Sequence, residues 1–406
     1  MRSERKKIDL FLWISLSCTG LFFLLLLATG GRAAQWLAME NNFDFSFTDH
    51  FRHIAFASDR TQFYFNTYDA TFPAFAYLLY YLLVRIDPPE APWDVNGWRD
   101  ARDYNYNMLA YIILTLLLVV FFQYLLTKML ENAGAGKAAL LTAALMLSAP
   151  FMAGAIERGN ISFLTAVMVL AALYWKDSES PVKRETALIL IAMAAGLKLY
   201  PAIVGMVYVK ERRWKETVRL VIYGLVVFLV PFFFVGGIPA LIRYLKVLFF
   251  FENQGYCSWT NIRNFLLSIS KVLGQYEHSA YFVKYFKIAE NLYMLLCILT
   301  LFIAKEKWKQ GLYTAGIMAL YVPYSYRYVS VYMVIPLILY FREKEEDQGL
   351  WECILFALIF TVPFYGYFTG WGADLFIFAP IYLLMGLSLL REWAAFFRGR
   401  RHMGPA

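Results

Sequence analysis

The sequence predicts an all-α, polytopic transmembrane helical bundle, and three observations carry that expectation. Of 406 residues, 60% are hydrophobic and only 17% charged, which is more apolar surface than a water-soluble domain of this length can hide. Apolar runs long enough for a hydrocarbon core of about 30 Å recur along nearly the whole chain, separated by short polar segments. The basic residues behind the net charge of +8 gather at the ends of those runs, the pattern of cytoplasmic loops, not in a stripe that would follow nucleic acid. Residues 1–406 therefore read as a single integral membrane domain whose partner is the lipid bilayer, with no nucleic acid expected.

Run 8–30 follows the basic start MRSERKK. It is too long for the apolar core of a signal peptide and lacks a small-residue cleavage site, so it reads as a transmembrane anchor. Basic clusters at 2–7, 176–184, 210–215, 305–309, 342–344 and the tail 391–401 are assigned to the cytoplasm. Segments between them must leave and return. The stretch between 184 and 210 is interrupted by Pro201 in KLYP, which suits two half-spans turning at 198–201. Hairpins are expected at 311–341, turning in YSYRY at 324–328, and at 350–390, turning at 369–374. Segments 217–236 and 288–304 then frame a large outer loop, 237–287. Runs 137–156 and 162–175 flank an outer turn, ERGN, at 157–160. Run 70–86 lies between two stretches both expected outside, so it reads as a re-entrant or interfacial helix, with full crossing the alternative. About 12 crossings result, half-spans included, with both termini cytoplasmic.

Cys18, Cys297 and Cys353 lie in apolar runs and only Cys257 in a polar segment, so neither a disulfide framework nor a metal-ligand spacing follows. No cofactor is required by any pattern; a divalent metal is compatible with the chemistry below.

Polar residues at membrane depth cost roughly 2.5–3.5 kcal/mol each on insertion scales, so their retention calls for a reason. Lys198 stands at the KLYP break, either snorkelling to the interface or holding an anion such as a phosphate at a discontinuous helix. The first outer loop, 31–69, carries Asp44, Asp49, Asp59 and Asp69 with His50 and His53 among many aromatics. A carboxylate there could take the proton from a hydroxyl that attacks an anomeric carbon; the aromatics suit a sugar face, a lipid chain or the interfacial belt. Arg327, among the tyrosines Tyr326 and Tyr328, suits bidentate contact with phosphate oxygens or interface anchoring. Tyr200, Asn160 and Asn261 are further candidates for lining a substrate.

An acidic first outer loop, FPAFAYLLYYLL, PFMAGAIERGN, AAGLKLYP, a long outer segment and a polar aromatic hairpin follow in that order. This series resembles the family-87 glycosyltransferases of the GT-C superfamily. The family often has a tyrosine and two prolines where Thr71, Phe72 and Pro73 stand here. It tends to carry Gly-Gln or Gly-Asn, then Asn, at Gly159, Asn160 and Ile161. Its lysine, tyrosine and proline are matched by Lys198, Tyr200 and Pro201, a pattern similar to that of the glycosylphosphatidylinositol mannosyltransferases. The resemblance implies a polyprenyl-phosphate sugar donor, often polyprenyl-phosphomannose, and a glycan or lipid-linked acceptor. It also implies inverting transfer and a catalytic acid in the first outer loop, carried over to Asp49 with Asp44 in reserve. Such an enzyme is expected in a bacterial cytoplasmic membrane, its site facing outward. A lipid flippase or small-molecule transporter would share the broken helix and buried cation, but no internal repeat is found. A polysaccharide polymerase or ligase would share the large outer loop.

Overall fold

A computed structural model describes residues 2–402 apart from 39–42, 61, 67–69, 95, 105, 254–260, 273–275, 322–325, 344–349 and 362–370. The described residues form helices and turns without strands. In chain order the α-helices are α1 Arg2–Ala28, α2 Thr48–Ala57, α3 Phe63–Asn66, α4 Ala74–Val84, α5 Trp98–Asp103, α6 Asn107–Met129, α7 Ala135–Leu147, α8 Ser162–Trp175 and α9 Pro181–Leu197. They continue with α10 Gly205–Lys210, α11 Trp214–Leu229, α12 Gly237–Asn253, α13 Ile262–Val272, α14 Tyr276–Ile303, α15 Lys307–Leu320, α16 Val334–Arg342, α17 Leu350–Ile359 and α18 Trp371–His402.

Among the described residues five stretches are long and apolar enough to cross a membrane: Arg5–Ala28, Asn107–Met129, Trp214–Phe234, Tyr285–Ile303 and Phe378–Arg398. A sixth results if α7 and the π-helical turn Pro150–Ile156, bent by 57°, form one span. Their outward faces carry exposed Leu, Ile, Val and Phe side chains, as a lipid-facing helix does. Helix α4, at 11 residues, rises only about 16 Å, roughly half a hydrocarbon core. Segment 237–287, expected as a loop, is largely helical: α12, α13 and the start of α14. Of the turn expected at 369–374, Thr369 and Gly370 lie outside the described residues, while Trp371 already opens α18.

The chain packs as two compact units, each assembled from separated stretches. The first comprises 1–37, 126–153 and 258–406. In it α1 packs on α7 and α17, α15 on α16, and α13 on α14 and α18. The basic clusters of this unit meet one another. Lys7 donates to the Tyr340 and Glu343 carbonyls at 3.5 and 3.2 Å, Arg391 donates to Glu352 at 2.9 Å, and Lys309 binds Glu306 and Glu392.

The second unit comprises 38–125 and 154–257. Here α8 and α9 pack side by side, α9 against α11 and α4, and α2 between α4 and α5. At the C-terminal end of α8, Lys176 binds Asp177 and Glu211 while Arg213 binds Asp177 and Glu216, so clusters 176–184 and 210–215 share one end. The opposite end of α8, a 14-residue helix, lies about 20 Å away, and there the polar side chains of interest converge.

Candidate active site

Helix α2 begins in an unusual way. Phe47 before it is left-handed, with φ 63°, and supplies no side-chain cap. The amides that a first turn leaves without helical partners are taken up by the ERGN turn: Phe47 N donates to the Glu157 carbonyl at 2.6 Å and Asp49 N to the Arg158 carbonyl at 3.1 Å. Ser46 Oγ adds a 2.7 Å bond to the buried Glu157 carboxylate. Gly159 permits this approach. Its φ is +73°, and a Cβ there would stand 2.7 Å from His50 Cβ and 3.2 Å from His50 N.

Clamped in this way, Asp49 in the first turn of α2 faces two donors from the turn. Arg158 Nε donates to Oδ1 at 2.8 Å and Asn160 Nδ2 to Oδ2 at 2.7 Å. Asn160 and Arg158 are buried, and the Asp49 side chain is 17% exposed. Burial pushes the Asp49 carboxyl up, but the Arg158 charge and the Asn160 hydrogen bond outweigh it and hold the group below the ordinary aspartate range. Asp49 is thus an ionised carboxylate with each oxygen already oriented, and each keeps lone-pair capacity for another donor.

The amide of Asn160 can point only one way. Its Oδ1 receives the Ser162 main-chain N–H at 3.0 Å, and a main-chain N–H only donates, so Nδ2 must face Asp49. Ser162 Oγ also donates to that Oδ1, at 2.7 Å, and itself accepts from Lys198 Nζ at 3.0 Å. Lys198 is where α9 ends. Pro201 has no N–H to give the Leu197 carbonyl and its ring would clash there, so Lys198 turns extended (φ −145°, ψ 130°) and a 3₁₀ turn, Tyr200–Val204, follows. The ammonium, on a residue only 3% exposed, lies 5.1 Å from the Phe72 ring centre and 5.5 Å from that of Tyr200.

Aromatic side chains continue the wall. His53, one turn beyond Asp49, stacks on Phe72 at 4.0 Å and shares a 3.0 Å hydrogen bond between Nδ1 and the Tyr77 hydroxyl. Burial pushes His50 and His53 each down to about 3, so both rings are neutral at physiological pH.

The structure therefore brings together Asp49, Asn160, Lys198 and Tyr200 from three separate stretches of sequence. Asp44 lies apart from this chain of bonds, exposed in the 3₁₀ turn Phe43–Phe45. Arg327, Tyr326, Tyr328 and Asn261 belong to the first unit. There Arg327 opens the 3₁₀ helix Arg327–Met333, and the Tyr326 and Tyr328 rings lie 6.2 Å apart. Asn261 is buried, and its Oδ1 accepts from Asn264 N at 2.9 Å, capping α13. Arg158 and Ser162 were not singled out from the sequence, and His53 and Phe72 were named there without a site role; the one signal for the first two is that ERGNIS is a polar island between apolar runs. Among the described residues no three His, Cys, Asp or Glu side chains cluster as metal ligands would.

A model of glycosyltransferase family 87 matches residues 71–322, more than half of the chain. The chain belongs to glycosyltransferase family 87. It is therefore an enzyme that transfers glycosyl groups, and its long apolar helices make it an integral membrane protein. No match is found among curated proteins or among solved structures. In this family-87 enzyme the matched stretch contains ERGN, Ser162 and KLYP but begins after Asp49, so the carboxylate is joined to it by the bonds from Arg158 and Asn160.

Proposed function

We propose that this family-87 enzyme transfers a sugar, mannose or another hexose or pentose, from a polyprenyl-phosphate donor to an extracytoplasmic glycan or lipid-linked acceptor, with inversion and with Asp49 as base. The observation that carries the reading is the pairing of an ionised, doubly held carboxylate with a buried lysine through Asn160 and Ser162.

In the proposed step an acceptor hydroxyl oxygen forms the new bond to the anomeric carbon. The anomeric C–O bond to the phosphate breaks, and its electron pair leaves on polyprenyl phosphate. The hydroxyl proton passes to Asp49. Lys198, at the broken helix, offsets the charge gathering on the leaving phosphate, and Tyr200 and Asn160 line the same space. Arg327, with Tyr326 and Tyr328, is a second phosphate-binding candidate, and Asn261 a substrate-lining one, each to be assigned by substitution. Asp44 is the reserve base.

Helices α8 and α9 support the assigned side of the membrane. Helix α8 leads from the polar site to the basic cluster at 176–184 and α9 leads back, so the basic end and the site stand about 20 Å apart. With the clusters in the cytoplasm of a bacterial cell, the site faces outward. Short helices such as α8, α9, α10 and α17 act as crossings or half-spans in this reading and bring the count to about 12, with α4 re-entrant or interfacial.

The experiment is Asp49→Asn in purified protein supplied with radiolabelled polyprenyl-phosphate sugars. An amide keeps the shape but has no useful basicity, so turnover is expected to fall by about two to four decades with donor binding kept. Asp44→Asn should be mild. Full activity in Asp49→Asn would remove the base from this helix.

A further inference from the structure

Helix α4 contributes a side chain whose placement the reaction above leaves unused. Tyr80 is 4% exposed, and its hydroxyl is buried with no hydrogen-bond partner. A buried hydroxyl left unmatched costs about 1–3 kcal/mol, and phenylalanine at the same position would avoid that cost.

The ring is gripped from α2. His50 meets it edge-on, with centroids 5.4 Å apart and planes at 68°, and His53 lies nearly parallel to it at 5.7 Å and 26°. Asp49 directly precedes His50 and stands one turn before His53, and its charge reaches the Tyr80 hydroxyl. The lysine lies elsewhere. From Lys198 the order of neighbours is Phe72 at 5.1 Å, then His53 stacked on Phe72 at 4.0 Å, then Tyr80 beyond His53. Tyr80 therefore sits on the carboxylate side of two rings, among neutral imidazoles and beside a negative charge, where a phosphate would be repelled and an uncharged hydroxyl would not.

Two other buried hydroxyls of the second unit without partners show the contrast. Tyr208 lies under the Arg213 guanidinium at 5.1 Å, and Tyr244 packs among Tyr64, Phe228 and Phe232. Neither borders the Asp49 chain of bonds.

We infer that Tyr80 is an acceptor-binding residue: its hydroxyl donates a hydrogen bond to an oxygen of the hydroxyl-bearing acceptor that Asp49 deprotonates, and makes no contact with the donor phosphate. The inference rests on the Asp49 reading above. It explains why a buried hydroxyl is kept at a site where it has no partner in the free protein.

The test compares full-length wild type, Tyr80→Phe and Tyr208→Phe. Three quantities are measured: melting temperature, binding of polyprenyl monophosphate, and transfer from radiolabelled polyprenyl-phosphomannose to a panel of methyl hexopyranosides. Tyr80→Phe is expected to melt at or above the wild-type temperature and to bind polyprenyl monophosphate normally. Its kcat/KM for the sugar acceptor should fall about 10- to 100-fold, while donor hydrolysis by water is little changed. Tyr208→Phe should match wild type in every readout. Wild-type acceptor kcat/KM in Tyr80→Phe, a lowered melting temperature, or weakened polyprenyl monophosphate binding would each overturn the inference. A wild-type protein that neither hydrolyses nor transfers from the donor overturns the function reading first and this inference with it, a result seen before any variant is compared.

Discussion

Lys198 and Asp49 are the cationic and anionic ends of one directional hydrogen-bond chain. Lys198 Nζ donates to Ser162 Oγ at 3.0 Å, Ser162 donates to Asn160 Oδ1 at 2.7 Å, and Asn160 Nδ2 donates to Asp49 at 2.7 Å. Every link is polarised the same way, so each bond strengthens the next. The two groups proposed to handle leaving-group charge and acceptor proton are thereby linked through the same two residues, Ser162 and Asn160, at the N-terminus of α8.

Removing the middle of that chain should move a pH profile. The folded-state pKa of Asp49 is lowered by Arg158 and Asn160 against the upward push of burial, so the ionised base persists to low pH. The acid limb of kcat/KM in wild type is expected below the ordinary aspartate value. In Asn160→Ala, and more strongly in Arg158→Ala, the limb should move up. The same depression contributes stability that is present above the unfolded aspartate value and lost as pH falls through the folded one. Thermal melting of Arg158→Ala should accordingly lose part of the pH dependence seen in wild type on acidification below about 4. An acid limb that stays in place in both variants would remove Asp49 from the rate-determining ionisation.

Gly159→Ala should be costly out of proportion to one methyl group. The φ of +73° disfavours a side chain, and the new Cβ would meet His50 Cβ at 2.7 Å and His50 N at 3.2 Å, helix atoms that have no rotamer to move into. A left-handed non-glycine residue alone costs about 1–3 kcal/mol, and the contact adds to it. Either the ERGN turn or the start of α2 must shift, taking the donors of Asp49 with it. A lower melting temperature together with at least a tenfold loss of turnover is expected; normal values of both would show that the turn yields freely.

How far the sequence carried the reading differs from residue to residue. The all-α membrane class was legible because composition and run length decide it without any long-range contact. Lys198 could be picked out because a polar residue interrupting an apolar run demands a reason, and Asp49 and Asn160 as polar residues of the outer loop and turn that the family resemblance marks. Their connection could not be read. Asp49 and Asn160 are 111 residues apart, and only the packing of α2 on the ERGN turn brings them together. Asn261 is ambiguous for a physical reason: an asparagine near a helix start serves as a cap, as its bond from Asn264 N shows, as readily as it lines a substrate site. Segment 237–287 read as an outer loop from its place between the crossings 217–236 and 288–304, which says nothing of its local structure, and amphipathic helices such as α13 carry charges on one face and apolar residues on the other.

Sidedness is open to a chemical check. In a background with the four native cysteines replaced, cysteines at Glu179 and Lys307, both on exposed positions within basic clusters, should resist an impermeant thiol reagent in intact cells. A cysteine at the exposed Glu90, in the acidic stretch after α4, should react. Reversed labelling would place the Asp49 end of α8 in the cytoplasm and overturn an extracytoplasmic reaction.

The remaining prediction separates the two roles open to Lys198, an internal partner for the carboxylate chain or a binding group for phosphate. Methionine has nearly the length of lysine and no charge, so Lys198→Met removes the cation while leaving little cavity beside Phe72 and Tyr200. Taking a buried cation out in favour of a well-packed apolar side chain is often neutral or stabilising, provided that its charge partner is still satisfied. Here Asp49 keeps both Arg158 and Asn160, and Ser162 keeps its bond to Asn160, so the fold should tolerate the change. A lost charged hydrogen bond to phosphate, by contrast, costs about 1.5–3 kcal/mol, or one to two decades in affinity. Lys198→Met is therefore expected to melt near the wild-type temperature and to bind polyprenyl monophosphate about 10- to 100-fold more weakly. The opposite outcome, a sharp drop in melting temperature with phosphate affinity intact, would assign the lysine to the internal chain alone and leave the leaving-group charge to be met by other residues.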